Sequence, residues 1–130
     1  MFAELEPYLE RLSSLQSLER WRDEIIRGLR DRYSHGDRRG DDARRPAGPS
    51  GTDRNVSTAE VRQWHFYLSA GLSRMRESGM LRADADPTDL AMAIIAAVQG
   101  GYILAQTARS EKPMAIALDM AIDHVRAFAQ

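Results

Sequence analysis

Asp86-Pro87-Thr88-Asp89-Leu90-Ala91-Met92-Ala93-Ile94-Ile95-Ala96-Ala97-Val98-Gln99-Gly100-Gly101-Tyr102-Ile103-Leu104 is the stretch that decides the fold class. Its opening is helix-start chemistry. Asp86 can accept from the open N–H groups of a first turn, and Pro87 fits the first helical position, where no N–H is needed. Asp89 faces the positive end of the helix dipole. After this start, Leu90, Met92, Ile94, Ile95, Val98, Tyr102, Ile103 and Leu104 leave hardly any polar side. A helix apolar nearly all round must be covered on more than one face. One face can meet the core of the chain itself, and a second subunit is the economical cover for the other. Gly100 and Gly101 each cost about 1 kcal/mol relative to alanine in mid-helix. Close approach of another helix, or of a ligand, would offset that.

Working downstream, Ser110-Glu111-Lys112-Pro113 breaks the chain and starts a last helix. Met114, Leu118, Ala121, Val125 and Phe128 line one face of it; Ile116, Met120 and His124 line another. Two adjacent helices with wide apolar arcs predict a four-helix bundle with their twofold mates.

Working upstream, Gly79 is placed to end the preceding helix in a left-handed cap. That helix carries Val61, Trp64, Leu68, Leu72 and Met75 as a stripe, and Ser57-Thr58-Ala59-Glu60 reads as its capping box. Leu18, Trp21, Ile25 and Leu29 form another stripe, predicting a helix over 15–33 capped by Ser14 or Ser17. Leu5, Leu9 and Leu12 predict a first helix beginning near Pro7. Residues 34–56 differ in kind. Apart from glycine and proline their apolar content is almost only alanine, and they show no period, so they predict a disordered loop. So long a structureless stretch inside a compact domain is unusual. The expected architecture is all-α, an antiparallel bundle of about five helices in one domain, 1–130, with its last two helices forming a dimer.

Composition narrows the function. The formal charge is -1, which argues against a dedicated nucleic-acid module. Lys112 is the one lysine, and the arginine bias reads as codon usage rather than phosphate recognition. Aspartates at 37, 41, 42 and 53 nearly neutralise the pairs Arg38-Arg39 and Arg44-Arg45, which reads as a solvated loop. No cysteine is present, so disulfides, thiolate metal sites and cysteine nucleophiles are excluded, and a reducing cytoplasm fits. The N-terminus has no signal pattern. The apolar run 90–98 is too short and too alanine-rich to span a bilayer. His35, His65 and His124 are dispersed. Asp119 and Asp123 share a helix face, but His124 sits about 100° from Asp123, so no convergent metal set forms. Neither a phosphate loop nor a nucleophile triad occurs. No catalysis, cofactor or metal is expected.

Several segments together resemble the C-terminal domain of TetR-family transcriptional repressors. They are Gly79-Met80-Leu81-Arg82-Ala83-Asp84-Ala85-Asp86-Pro87, Ala97-Val98-Gln99-Gly100-Gly101-Tyr102 and Ala117-Leu118-Asp119-Met120-Ala121. Ser17-Leu18-Glu19-Arg20-Trp21-Arg22-Asp23 and Gly71-Leu72-Ser73-Arg74-Met75 share the texture, in the same order and spacing. The resemblance implies a helical bundle that dimerises through its last two helices. It implies a mostly apolar effector pocket among the core helices, coupled to an N-terminal helix-turn-helix. That helix-turn-helix is absent here, so the chain alone is not expected to bind operator DNA. Related sequences carry a partly apolar helical segment where this chain has 36–55. The arginine, glycine, alanine, proline and aspartate content of that stretch suits a shifted frame through GC-rich DNA, or a divergent loop. Reading the other two frames distinguishes these.

The expected pocket residues are Trp21, Ile25, Trp64, Tyr67, Leu68, Met75, Ile94 and Tyr102; plain core packing is the competing reading of the aromatics. Met75, Met80 and Met92 offer adaptable walls. The expected dimer residues are Met92, Ala96, Gln99, Ile103, Ala117, Met120 and His124. Gln99 suits either an effector or its twofold mate, and the dimer is favoured. The leading expectation is an effector-binding, homodimeric, cytoplasmic regulatory domain for a small apolar or aromatic ligand, with no membrane partner. The alternatives are a dimerisation-only module and, behind it, a small helical enzyme.

Overall fold

The computed structural model of the chain describes residues 5–34 and 58–130. The expected loop beyond Ser34, with His35, its arginine pairs and the Ser57 cap, lies outside the described residues. The described residues contain five helices: α1 (Glu6–Glu10), α2 (Leu15–Ser34), α3 (Thr58–Glu77), α4 (Pro87–Ala108) and α5 (Lys112–Arg126). The all-α expectation holds.

Local chemistry sets the helix ends. Pro7 sits in the first turn of α1, which is shorter than its leucine spacing suggested and ends by Arg11. Leu12 lies past that end yet is fully buried, so the third leucine of the stripe is delivered by the turn. At the start of α2 the choice between Ser14 and Ser17 resolves into both. Ser17 N–H donates to Ser14 Oγ (3.1 Å) and Ser14 N–H donates to Ser17 Oγ (3.0 Å), a reciprocal cap built from two serines. Gly79 has φ +89°. Around it Met80 N–H donates to Met75 O (2.9 Å) and Gly79 N–H to Arg76 O (3.1 Å), the paired bonds of a left-handed helix stop. Asp86 caps α4 as expected, accepting from the N–H groups of Thr88 (3.0 Å) and Asp89 (3.3 Å).

Packing follows the apolar stripes. α4 is the central helix, lying against α5 on one side and α3 on another, while α1 packs on α3 and α2 on α5 and α1. The buried core draws Leu18, Ile25 and Leu29 from α2, Leu68 and Leu72 from α3, Ile94 and Val98 from α4, and Leu118 and Ile122 from α5. Two contacts are tight enough to require glycine. A Cβ on Gly71 would stand 2.7 Å from Leu12 Cβ, and one on Gly101 would stand 3.0 Å from Met114 Cα. The close helix approach expected at Gly100-Gly101 is thus made by Gly101 within the chain.

The end of the chain is stapled down. Leu81 and Ala129 form an isolated antiparallel bridge. Arg82 N–H donates to Phe128 O (2.7 Å) and Gln130 N–H to Met80 O (3.0 Å). The staple ties the α3–α4 connector to the end of α5.

α4 also corrects the bilayer argument. The run 90–98 is short, but the helix continues apolar through Leu104, and as a whole it is long and apolar enough by length and composition to cross a membrane. Buried core helices have the same length and composition, and 44% of the most apolar stretch of α4 is buried. The other part of that surface is what needs a cover.

Candidate functional site

The expected pocket residues come from three helices. Trp21, Ile25, Trp64, Leu68, Met75, Ile94 and Tyr102 are buried, and Tyr67 is half-buried against the same core. Trp21 and Trp64 meet edge to face, with ring centroids 5.7 Å apart. Trp64 and Met75 lie about 16 Å apart along α3 at 1.5 Å per residue. The eight residues therefore spread along the core rather than around one point. α2 packs most closely on α1 and α5, and large side chains span from it to α3 and α4. Trp21 does so to Trp64, and Arg32 Nη1 donates to Tyr102 Oη at 3.2 Å.

None of the eight lines either of two surface clefts formed by the described residues. A cleft of about 600 Å³ is bounded by Tyr8, Arg11, Ser14, Ser17 and Arg20. A second, of about 440 Å³, is bounded by Arg22, Ile26, Arg30, Ala115 and Asp119. Both walls mix polar and apolar surface, whereas the sequence suggested a mostly apolar pocket.

Among the described residues, four buried side-chain atoms have no partner within hydrogen-bond geometry: Trp21 Nε1, Tyr33 Oη, Ser69 Oγ and Gln106 Oε1. Such atoms are few in native proteins, and each needs a reason, often a water or a ligand. Sequence reasoning missed Tyr33 and Gln106. The available signal was position: Tyr33 lies four residues past Leu29 and extends the buried stripe of α2, and Gln106 lies four past Tyr102. Burial pushes the Tyr33 phenol above its ordinary range, while the nearby guanidiniums of Arg32 and Arg109 pull the other way.

Five of the seven expected dimer residues are exposed on α4 and α5, whereas Ala117 lies in the seam between them, its Cβ 3.4 Å from where a Cβ on Gly101 would stand. Met92 is 51% exposed, Ile103 45% and Met120 67%. Ala96 and His124 are exposed, while Gln99 and Ala117 are half-buried. Leu104 and Ile116, which sequence reasoning left out of the set, are also large, apolar and exposed. A Cβ on Gly100 would meet nothing within 4 Å. Met80, proposed as a pocket wall, is exposed on the turn after α3.

The acidic residues near the C-terminus are tied up in ion pairs. Arg22 bonds Asp119 at 3.0 Å, and Arg126 bonds both Asp123 and Glu19. His124 stacks edge-on to Phe128 at 5.7 Å, and His65 Nε2 lies 3.2 Å from Thr88 O on another helix. Among the described residues no group of three potential ligands converges on a metal position.

Comparison with known proteins identifies a family. A family model described as the C-terminal domain of LmrA/YxaF-like transcriptional regulators matches residues 53–120. That span takes in α3, α4 and the first part of α5. No curated protein and no solved structure matches the chain.

Proposed function

Because the chain belongs to the TetR-type family of LmrA/YxaF-like transcriptional-regulator C-terminal domains, we propose that it is the effector-binding and homodimerising part of a cytoplasmic repressor whose DNA reader is an N-terminal helix-turn-helix. The observation that carries this reading is the outward surface of α4 and α5. Met92, Ile103, Leu104, Ile116 and Met120 stand exposed together on two adjacent helices. Large apolar surfaces left bare on a monomer mark contact sites. A second copy laying the same surface on this one would bury both and close a four-helix bundle. Gly100 leaves room for a helix to approach closely.

The effector is a small apolar or aromatic molecule held between α2 and the α3–α4 pair. The support is the large side chains that span this region and the buried, unpartnered indole N–H of Trp21, a donor ready for a ligand acceptor. Occupancy would couple to the DNA reader as a free-energy difference between two arrangements of the bundle. The Gly71–Leu12 contact is a tight link for that coupling, since a shift of α3 there presses on the turn that follows α1.

Light scattering tests the dimer. The chain should be a dimer at micromolar concentration. Ile103→Glu with Met120→Glu should give a monomer with unchanged helical circular dichroism. A monomeric wild-type chain overturns the reading. A second reading, dimerisation without a ligand, gains from the plain core packing of seven of the eight expected pocket residues. Thermal shift against a panel of apolar and aromatic molecules separates the two, since a ligand that binds only the folded state raises the melting temperature.

A further inference from the structure

The corner between α1 and α2 holds the cleft of about 600 Å³, which neither the core nor the dimer surface uses. α1 contributes Pro7 and Tyr8 to its wall. The turn contributes Arg11, Ser13 and Ser14, and the first turns of α2 contribute Gln16, Ser17 and Arg20. Tyr8 and Arg11 stand at i and i+3, and Gln16 and Arg20 at i and i+4, so each pair shares one side of its segment. Small-molecule sites commonly enclose about 300–1,000 Å³, and this cleft falls within that range. None of the eight expected effector-pocket residues lines it, so it is a separate place on the molecule.

The wall carries two guanidiniums and no carboxylate. Arg11 and Arg20 are both exposed, and neither forms an ion pair with the described residues. Arg22, Arg27 and Arg30, on the same helix as Arg20, each do. The carboxylates nearest Arg20 along α2 are engaged elsewhere, Glu19 by Arg126 and Glu24 by Arg27. Two like charges on one cleft repel each other, and an anion between them turns that repulsion into attraction. The backbone at the start of α2 is not the source of this character. The N–H groups of Ser14 and Ser17 are spent on the reciprocal serine cap, and the Ser17 hydroxyl donates to Ser14 O at 2.8 Å. The charge comes from side chains, with the hydroxyls of Tyr8 and Ser13 on the same wall. Tyr8 also offers an exposed aromatic ring, next to Pro7.

We propose that this cleft binds a small phosphate monoester carried on a planar ring, of which a mononucleotide is the simplest form. A phosphate monoester bears nearly two negative charges at neutral pH and three strong acceptor oxygens. It can therefore engage both Arg11 and Arg20, each of which presents paired N–H donors. A carboxylate, with one charge, would leave the repulsion between them half compensated. The ring lies on the exposed face of Tyr8, where stacking tolerates any base because every base has a π-face. Two arginines in one corner of a chain with a formal charge of -1 suit a small anion and not a nucleic-acid polymer, which calls for a basic stripe. The site does not depend on the effector-pocket reading, and its failure would leave that reading and the dimer as they stand.

The test titrates adenosine monophosphate, adenosine and inorganic phosphate calorimetrically into the full chain. The nucleotide should bind more tightly than the nucleoside by about tenfold or more, the effect of a charge-assisted hydrogen bond, and inorganic phosphate should compete with it. Arg11→Gln and Arg20→Gln should each weaken the nucleotide about tenfold and leave adenosine unchanged. Tyr8→Ala should weaken the nucleotide and adenosine and leave inorganic phosphate unchanged. Arg62→Gln removes the same charge from an exposed position on α3 and should alter none of the three. Both cleft arginines are exposed, so the variants should keep the helical circular dichroism of the wild type. Equal binding of nucleotide and nucleoside overturns the site, because the phosphate is then not read. A loss from Arg62→Gln as large as from the cleft arginines also overturns it, because the attraction is then diffuse. Nucleotide binding that survives Tyr8→Ala overturns the ring contact. A chain that binds no nucleotide at millimolar concentration has no such site.

Discussion

The inner and outer faces of α4 have nearly the same chemistry and opposite surroundings. Ile94, Val98 and Tyr102 point into the core and are buried; Met92, Ile103 and Leu104 on the same helix are exposed. The adjacent glycines divide the same way. Gly101 is pressed against Met114, and Gly100 faces open space. The hydrophobicity of a residue therefore fixes that it wants a cover, and the fold decides whether its own chain supplies one. If a second copy covers the outer face, substitutions there should act on association, and substitutions on the inner face should act on folding.

The largest contrast is between two isoleucines. Ile94→Ala should lower the unfolding free energy by about 3 kcal/mol, the cost of a cavity at a fully buried site. Ile103→Ala should change the folding of the isolated subunit by less than about 0.5 kcal/mol, as exposed substitutions do, while weakening the dimer. Urea unfolding followed at several protein concentrations separates the two effects. An Ile103→Ala loss as large as that of Ile94→Ala, and independent of concentration, would show that the outer face is covered within the chain.

The glycine pair gives a smaller and sharper contrast. Gly100→Ala adds a Cβ that meets nothing, so the subunit should gain about 1 kcal/mol of helix propensity. If a partner helix lies close against this position, the same methyl should raise the dimer dissociation constant. Gly101→Ala brings its Cβ to 2.9 Å from Met114 Sδ and 3.0 Å from Met114 Cα. Overpacking of that kind costs about 1–3 kcal/mol, enough to cancel the propensity gain. Stabilisation by Gly101→Ala would mean that α5 yields more easily than the geometry suggests.

These glycines also show how far the sequence could be read. Caps and stops were legible because their chemistry is local: Asp86 with Thr88 and Asp89, Gly79 with its reversed bonds, Ser14 with Ser17. The stripes of α2 and α3 were legible because helical spacing puts their residues on one side. Which glycine would touch α5 was not, because that depends on the crossing of two helices. The bridge between Leu81 and Ala129 was invisible for the same reason, since one residue pair carries no period. Arg109 gave no sign of a helix stop, because arginine is an ordinary helix former and the left-handed turn shows only in the backbone. The outward residues of α4 and α5 were predictable from their wide apolar arcs. The pocket residues were predictable only as buried, because cavity shape comes from the packing of side chains from several helices.

A third contrast sets the apolar α4–α5 seam against the α2–α5 seam. The latter is bridged by Arg22–Asp119, Arg126–Glu19 and, at the start of α5, Arg30–Glu111. Asp119 is 59% exposed and Arg30 62%, so these pairs are screened and each contributes at most about 1 kcal/mol. Raising salt should weaken the α2–α5 seam and leave the α4–α5 seam unchanged or tighter. Hydrogen exchange at low and high salt reads this as faster exchange in α2 than in α4. Equal acceleration in both helices would mean that the ion pairs do not hold α2 separately.

The smallest effect belongs to the terminal staple, and it depends on pH. Arg82 donates to both Asp84 oxygens, at 3.0 and 3.1 Å, and lies over the Phe128 ring, 5.2 Å from its centroid. The Asp84 carboxyl is held below its ordinary value of 3.8, first by the hydrogen bond from Arg82, with desolvation opposing. A carboxyl whose pKa is lowered by folding contributes stability above its unfolded value and loses it as pH falls through the lowered folded value. The staple should therefore be unaffected at neutral pH and loosen below pH 3.8. Amide shifts of Arg82 and Gln130, which bond Phe128 O and Met80 O, should titrate there in NMR spectra. Asp84→Asn should remove that titration while leaving the amides of α4 unmoved. If the same titration persists in Asp84→Asn, the Arg82–Asp84 pair does not govern the staple, and the backbone bonds hold the end of the chain without it.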